Sequence, residues 1–537
     1  MPVFQSKVDP ASETYQANRA AMLALIEEVR GLENSLKQLA EGAREKFHRR
    51  GQLLPLERLE RLLDRGAPFL ELSPLAGYLE LDGTPSDIPG GGHIGVGYVS
   101  GVRCLVVAHN SALKGGTISP MGLTKSLRAQ QIALENKLPM VLLAESGGAN
   151  LLHQAAIFVR GGAGFRNQAR LSAAGIPQIT VVHGSSTAGG AYLPGLSDYV
   201  IVVRGRSKIF LAGPPLLKAA TGEIATDEEL GGAELHAMVA GTAEYLAEDD
   251  AGALGIAREI AAKLPWNDWL PPLPPKPFAE PRYQPDQLAG LVPTDFRKPY
   301  DVRVVFARFV DDSDFLDFKA LYGPATVCGQ AAIEGHPCGI IGNNGPIDPA
   351  GSVKAAQFIQ LCCQSGTPIV YLQNTTGYIV GREAEEGGIV KHGSKMIQAV
   401  ANATVPQLTL IIGGSFGAGN YGMCGRAYQP RFLFSWPNSR LSVMGGEQAA
   451  RVMRTITEEK HQRAGTEVDR EQLDAMEREI VRRFEVESSP LFCTSQVWDD
   501  GIIDPRDSRR VLAFCLSICR EAERRPLRPN SFGVARM

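Results

Sequence analysis

The sequence predicts an α/β protein made of two similar domains. Three observations carry this. Apolar runs recur that end in small residues and lead into helical patterns, as buried parallel strands feeding crossover helices do. The runs repeat at a constant spacing. And glycine is abundant, with 58 residues, many in pairs directly after the runs. At 537 residues the chain also exceeds what one hydrophobic core usually supports.

The elements follow in order. Residues 1–66 read as a helical segment, with Leu23, Ile26, Val29, Leu32 and Leu36 at helical spacing inside Asn18–Phe47. Residues 67–270 form the first domain. Its run Leu138–Leu143 ends in Glu145-Ser146-Gly147-Gly148, and Ile176–Val181 leads to Thr187-Ala188-Gly189-Gly190-Ala191-Tyr192. A proline-rich stretch follows from Leu264, with Pro265, Pro271, Pro272, Pro274, Pro275, Pro277 and Pro281, and residues 271–300 are expected to be a stiff linker. Residues 301–537 repeat the pattern: Thr367–Leu372 ends in Asn374-Thr375-Thr376-Gly377, and Val405–Leu410 leads to Phe416-Gly417-Ala418-Gly419-Asn420-Tyr421. Pro139 and Pro368, Pro177 and Pro406, Lys125 and Lys354, and Gly116 and Gly345 are each 229 positions apart. Four landmarks at one offset imply a duplication.

Composition excludes several function classes. Hydrophobic residues make up 44% and charged residues 21%, and 55 basic against 58 acidic residues leave a net charge of −3. Nothing there points to nucleic acid or to a membrane surface. No apolar run reaches membrane-span length. The nine scattered cysteines lack metal spacing and read as reduced thiols, so no metal is expected and the cytoplasm is the expected location. Asp9 and Glu13 do not suit a targeting sequence. There is no phosphate-binding P-loop, dinucleotide fingerprint or HExxH. Gly413, Ser415 and Gly417 formally fit a nucleophile elbow, but the histidine such a hydrolase needs would have to be His461, the only one further on, in a charged helix.

What remains is a glycine loop at a strand-to-helix turn in each domain. Such a loop presents backbone N–H groups, strengthened by the helix N-terminus, and glycine lets a substrate come close. Two N–H groups can hold an oxyanion, so two equivalent loops suit a reaction in which two oxyanions develop. A packing role alone would explain one loop better than a matched pair.

Several longer stretches sharpen this. Phe210-Leu211-Ala212-Gly213-Pro214-Pro215 runs on to Lys218–Glu223 and Gly231–His236, and Gly417–Tyr428, Met444–Ala450 and Val497–Pro505 follow. With these the chain resembles, over nearly its whole length, the carboxyltransferase β subunits of biotin-dependent acyl-CoA carboxylases, in the methylcrotonoyl-CoA and geranyl-CoA branch. The resemblance implies two tandem crotonase-like (ClpP/crotonase) domains. It also implies a β hexamer within an α6β6 complex, with active sites between the first domain of one subunit and the second of another. The biotin-carrying α subunit is a separate chain, since no Ala-Met-Lys-Met motif is present here. By this resemblance Gly189 and Gly190 stabilise the enolate of a coenzyme A thioester, and Ala418 and Gly419 hold the ureido oxygen of biotin, which arrives as carboxybiotin. Gly147 and Gly148 line the acyl half; Thr376, Gly377 and Gly417 line the biotin half. His236 and Cys424, inside family motifs, read as packing residues.

In the methylcrotonoyl branch a His-Phe-Gly-Arg-x-Phe-Tyr-Asn-Gln motif caps a short acyl pocket with its first Phe. Aligning Phe165, Asn167 and Gln168 puts Gly161 at that Phe, which opens room for the longer geranyl chain and makes methylcrotonoyl-CoA the alternative. Lys114, Lys125 and Lys218 are candidate cations for the coenzyme A phosphates. A crotonase-type hydratase acting alone, a decarboxylase on the same fold and a non-catalytic scaffold are the competing readings. The first needs a catalytic acid/base group, and the last predicts degenerate loops.

Overall fold

The computed structural model describes residues 4–86, 89–271, 276–531 and 533–534. Each half of the chain builds a mixed sheet. In the first are β1 (Leu70–Glu71), β2 (Gly92–Val99), β3 (Val102–His109), β4 (Met140–Ser146), β5 (Gln178–Thr187), β6 (Tyr199–Val203), β7 (Lys208–Phe210) and β8 (Tyr245–Ala247). Their order is β1-β2-β3-β4-β5-β6-β8, with β7 pairing β5. The second holds β9 (Leu316–Phe318), β10 (Thr326–Ile333), β11 (His336–Asn343), β12 (Ile369–Thr375), β13 (Gln407–Phe416), β14 (Phe432–Ser435) and β15 (Arg440–Ser442). Its order is β14-β13-β12-β11-β10-β9, with β15 on β13.

The central strands β4, β5, β12 and β13 are the apolar runs of the sequence. They pair in parallel and are buried almost throughout, because helices cover them. The 229-residue offset is structural. A parallel bridge joins Ile118 to Ala149 in the first half, and an equivalent one joins Ile347 to Tyr378 in the second. The two central pairs also carry the same irregularity, between Ala144 and Ser146 and between Gln373 and Thr375, where β5 and β13 each bulge.

Helix Glu13–Glu41 is capped by Ser12, whose side chain accepts the Tyr15 N–H. It buries Tyr15, Met22, Ile26 and Val29, while Leu23, Leu32 and Leu36 sit at the edge of that contact. The C-terminal helix Ser508–Arg524 buries Val511, Leu512, Cys515, Leu516, Ile518 and Cys519 between the halves. One apolar core includes both Val106 of β3 and Val370 of β12. Of the expected linker, Pro272, Pro274 and Pro275 lie outside the described residues. The remainder is not a free tether. Leu288, Ala289, Gly290 and Leu291 form a buried turn, and a Cβ at Gly290 would lie 2.5 Å from the Tyr15 ring. Gly290 therefore lets the N-terminal helix approach the chain backbone.

Candidate functional site

At the end of β5 the chain turns through Ala188-Gly189-Gly190-Ala191 into helix Tyr192–Gly195. Ala188 takes the left-handed region at φ +52, and its repeat counterpart Gly417 takes the same region at φ +53. A non-glycine residue held there is strained, which concentrates at functional loops. Ser186 Oγ donates to the Gly190 carbonyl at 2.9 Å and so orients this turn. Gly148 donates its N–H to Ser146 Oγ at 3.1 Å, bringing Gly147 and Gly148 alongside.

Below these loops lies a cavity of about 930 Å³. It runs between the sheet and the helices Pro120–Glu135 and Gln154–Ala173, from Gly147, Gly148, Gly189 and Gly190 at the strand ends to Met140 and Gln178 at the strand starts. Gly161, Gly164, Phe165 and Gln168 face it from one helix. A Cβ at Gly161 would meet nothing nearer than Ile157 Cγ2 at 3.9 Å, so helix packing does not require this glycine. The Phe165 ring packs against Tyr192 with centroids 5.5 Å apart and planes tilted by 60°, and lies 3.7 Å from where a Gly189 Cβ would stand. His109 also lines the cavity; burial pushes its imidazole down to about 4 against the opposing charge of Glu145, so it is neutral at neutral pH.

The second loop, Gly417–Gly422, is a short helix following β13, with Ala418 exposed and Gly419 buried. A Cβ at Gly419 would lie 2.7 Å from Gly377 Cα, so this loop and the strand-end loop touch backbone to backbone. Gly377 stands at φ +118 and donates its N–H to Thr375 Oγ1; Thr376 beside it is exposed. Ser415 is buried and donates to Gln373 Oε1, and Asn420 Nδ2 donates to Ser415 Oγ at 2.8 Å. Ser415 is thus a packing group inside the loop and not a nucleophile.

Behind the first loop stands a buried charged group. Arg58 Nη1 pairs with Glu145 Oε2 at 2.6 Å, and Arg58 Nε with Asp250 Oδ2 at 3.2 Å. His183 Nδ1 bonds Asp250 Oδ1 at 2.9 Å. Burial raises the Asp250 carboxyl, but His183 and Arg58 outweigh it and hold it at about 2. Burial, reinforced by Arg58, keeps His183 below its ordinary range, and its Nδ1 is the donor in that bond because the ionised Asp250 carboxylate can only accept.

The three lysines part company. Lys114 and Lys218 are exposed, and Lys114 adjoins the cavity-lining Leu113 and Gly116. Lys125 corrects the sequence reading. It is buried, its Nζ donates to the Gly92 carbonyl at 2.7 Å and, more weakly, to Gly90, and burial lowers it to about 8 against the attraction of Glu71. Its ammonium braces the Gly90–Gly92 loop from within the fold. His109 and Arg58 carry no local pattern in the sequence, and Glu145, though it opens the strand-end segment, gives no sign there of its partner Arg58. Phe165 had a signal, one helical turn beyond Gly161.

Residues 46–532 match the family model described as the carboxyl transferase domain. A probable mitochondrial methylcrotonoyl-CoA carboxylase beta chain of Drosophila melanogaster is 49% identical, over 100% of this chain and 95% of its own. A probable biotin-dependent acyl-coenzyme A carboxylase beta2 subunit of Mycobacterium tuberculosis is 48% identical over 100% of both chains. Among solved structures, the beta subunit of P. aeruginosa geranyl-CoA carboxylase is similar at a TM-score of 0.94 and 60% identity, covering 100% of both chains.

Proposed function

From the premise that this chain belongs to the carboxyl transferase family, as the carboxyltransferase component of a biotin-dependent acyl-CoA carboxylase, we propose that it carboxylates geranyl-CoA. The observation that carries this is the cavity below Gly189 and Gly190, unobstructed at Gly161 and continuing to the far end of the sheet. Methylcrotonoyl-CoA remains the second reading, favoured by the names of the curated relatives.

In this reading residues 67–270 form the acyl half and residues 301–537 the biotin half. The thioester oxygen lies against the Gly189–Gly190 turn, where backbone N–H groups stabilise the enolate without moving. Gly147 and Gly148 flank it, and exposed Lys114 and Lys218 meet the coenzyme A phosphates at the rim. The apolar walls Val107, Leu127 and Leu142 exclude water and fix the chain, so the 3-methyl group is presented at the cavity mouth. In a 3-methyl-2-enoyl thioester, charge left on that carbon passes through the double bond to the thioester oxygen, so the same turn serves a proton removed far from the carbonyl.

The biotin half is a cradle that side chains would fill: Gly419 and Gly377 meet backbone to backbone, beside exposed Ala418 and Thr376. It fits a flat ureido group whose oxygen meets the amides at Gly417, Ala418 and Gly419. Held there, carboxybiotin would supply the carboxyl group and a basic ureido nitrogen for the acyl proton. We assign its delivery to a separate biotin-carrying α subunit, and the active assembly to a β hexamer within a larger complex. Its nine cysteines are all unpaired and eight are buried, which supports a reducing compartment, taken as the cytoplasm. Among the described residues no helix is long and apolar enough to cross a membrane.

The test is carboxylation by the chain reconstituted with its biotin-carrying partner, with geranyl-CoA and 3-methylcrotonoyl-CoA compared under identical conditions. Efficient use of geranyl-CoA is expected. Gly161→Phe should cut its kcat/KM by about a hundredfold while sparing the short substrate. Turnover of the short substrate alone by the unaltered chain would discard the geranyl assignment and keep the carboxyltransferase one.

A further inference from the structure

The two halves are built alike, yet they differ in charge directly behind their loops. In both, the residue before the last position of the inner strand reaches across to the bulge of the neighbouring strand. A Cβ at Gly184 would lie 2.5 Å from Glu145 Oε1, and Asn374 Oδ1 crowds Gly413 in the same manner while accepting the Gly414 N–H at 3.0 Å. Glu145 and Asn374 are 229 positions apart and equivalent. The second half meets its bulge with a neutral amide. The first uses a carboxylate, and a carboxylate needs a counter-charge in a buried place.

That counter-charge comes from outside the sheet. Helix Pro55–Leu62 buries Arg58 completely, with its guanidinium on Glu145 and on Asp250. Asp250 is fixed in turn by the Leu53 N–H at 2.8 Å and by His183, which sits in the bulge itself. Gln52 Nε2 donates to the His183 carbonyl at 3.1 Å. The bulge is thus held through Glu145 at one residue and through His183 at its neighbour, and both holds converge on Arg58. Three residues further on, Ser186 anchors Gly190.

We propose that Arg58 is a positioning residue of the acyl half: through Glu145 and Asp250 it fixes the His183–Gly184 bulge and thereby the aim of the Gly189–Gly190 turn. This rests on the reading of that turn as the enolate-stabilising one. Arg58 is fully buried and does not line the acyl cavity. It also cancels a carboxylate whose negative charge would otherwise stand behind a developing oxyanion. The second half, with Asn374, needs no such partner, so the effect of losing Arg58 is confined to one of the two half-sites.

The experiment uses the chain reconstituted with its biotin-carrying partner and follows two rates: acyl-CoA carboxylation, and the decarboxylation of free carboxybiotin in the absence of acyl-CoA. Arg58→Met is expected to lower kcat for carboxylation by about tenfold to a hundredfold, a cost typical of a displaced catalytic group. KM for the acyl-CoA should stay within about twofold and the biotin-side rate should be unchanged. Adding Glu145→Gln to Arg58→Met removes the stranded carboxylate and should recover most of the loss. An equal fall in both rates, an unchanged kcat, or no recovery in the double variant overturns the proposal. If Arg58→Met does not accumulate as folded protein, Arg58→Lys decides, since a lysine keeps the charge but cannot engage Glu145 and Asp250 with one planar fork: a fall in carboxylation at constant biotin-side rate supports the proposal, and full activity overturns it. Failure of the underlying reading looks different, because the unaltered chain would then fail to carboxylate any acyl-CoA.

Discussion

Asp499 and Asp500 are adjacent in sequence and opposite in electrostatics. Asp500 is fully buried between Arg128, at 2.9 Å, and Arg426, at 2.8 Å, which overcome its burial and hold its carboxyl far below the usual range. Asp499 is equally buried, but among the described residues no cation pairs with it directly, and the charge of Arg426 offsets its burial only in part. Its Oδ1 accepts the Gly501 N–H, and burial raises it to about 6 despite the hydroxyls of Thr494 and Ser435. A carboxyl raised on folding binds more protons in the native state. Its contribution to stability is therefore complete below its unfolded value of about 3.9 and is lost as pH rises through about 6. Asp499→Asn should therefore stabilise the protein near pH 7.5 by on the order of 2 kcal/mol, with the advantage vanishing below about pH 4. Urea midpoints for both proteins across that range would check it, and a constant difference would exclude the titration as its cause. Neither aspartate's state could be read from the sequence, because Arg128 lies 372 positions from its partner.

At the scale of elements the two glycine loops have different tolerances. At Gly189 an added methyl group would only touch the Phe165 ring, whereas at Gly419 it would press on the Gly377 backbone at 2.7 Å. Gly419→Ala should thus displace both biotin-side loops and reduce carboxylation by about a hundredfold or more, while leaving the acyl-CoA dissociation constant unchanged. Calorimetric titration with the acyl-CoA, set beside turnover, separates the two. These loops were legible in the sequence because a parallel strand, a small-residue turn and a helix leave a local signature that recurs 229 residues later. The preceding hairpins were less so. β2 and β10, and likewise β3 and β11, begin 234 positions apart, since the connection from β11 to its helix is five residues shorter than the one from β3. Lys125 was misread for another reason. It shares the offset with Lys354, and both lysines are buried, which a pattern of charge cannot reveal. The Arg58 group was invisible because its members come from four separate stretches of chain.

For the whole molecule, the decisive feature is that, among the described residues, those lining the acyl cavity all fall between Pro89 and Leu216. The biotin loop of the same chain adds nothing to it. Around the cavity, meanwhile, Leu151, Phe158 and Val159 are about four-fifths exposed, and around the other loop so are Val380, Val390 and Val443 to a similar degree. Leu151 and Val380 occupy the same position of the repeat, as do Gly161 and Val390. Large apolar side chains left in water at both half-sites call for cover. Setting the first half of one chain against the second half of another would bury both sets and bring an acyl turn opposite a biotin turn. Two inactive chains should then complement each other. A chain carrying Gly190→Val keeps its biotin half, and a chain carrying Gly419→Ala keeps its acyl half. Co-assembled in equal amounts at random, they should form about a quarter of their sites from two intact halves and regain a corresponding share of activity. If each active site were instead closed within one chain, the mixture would be as inactive as its components.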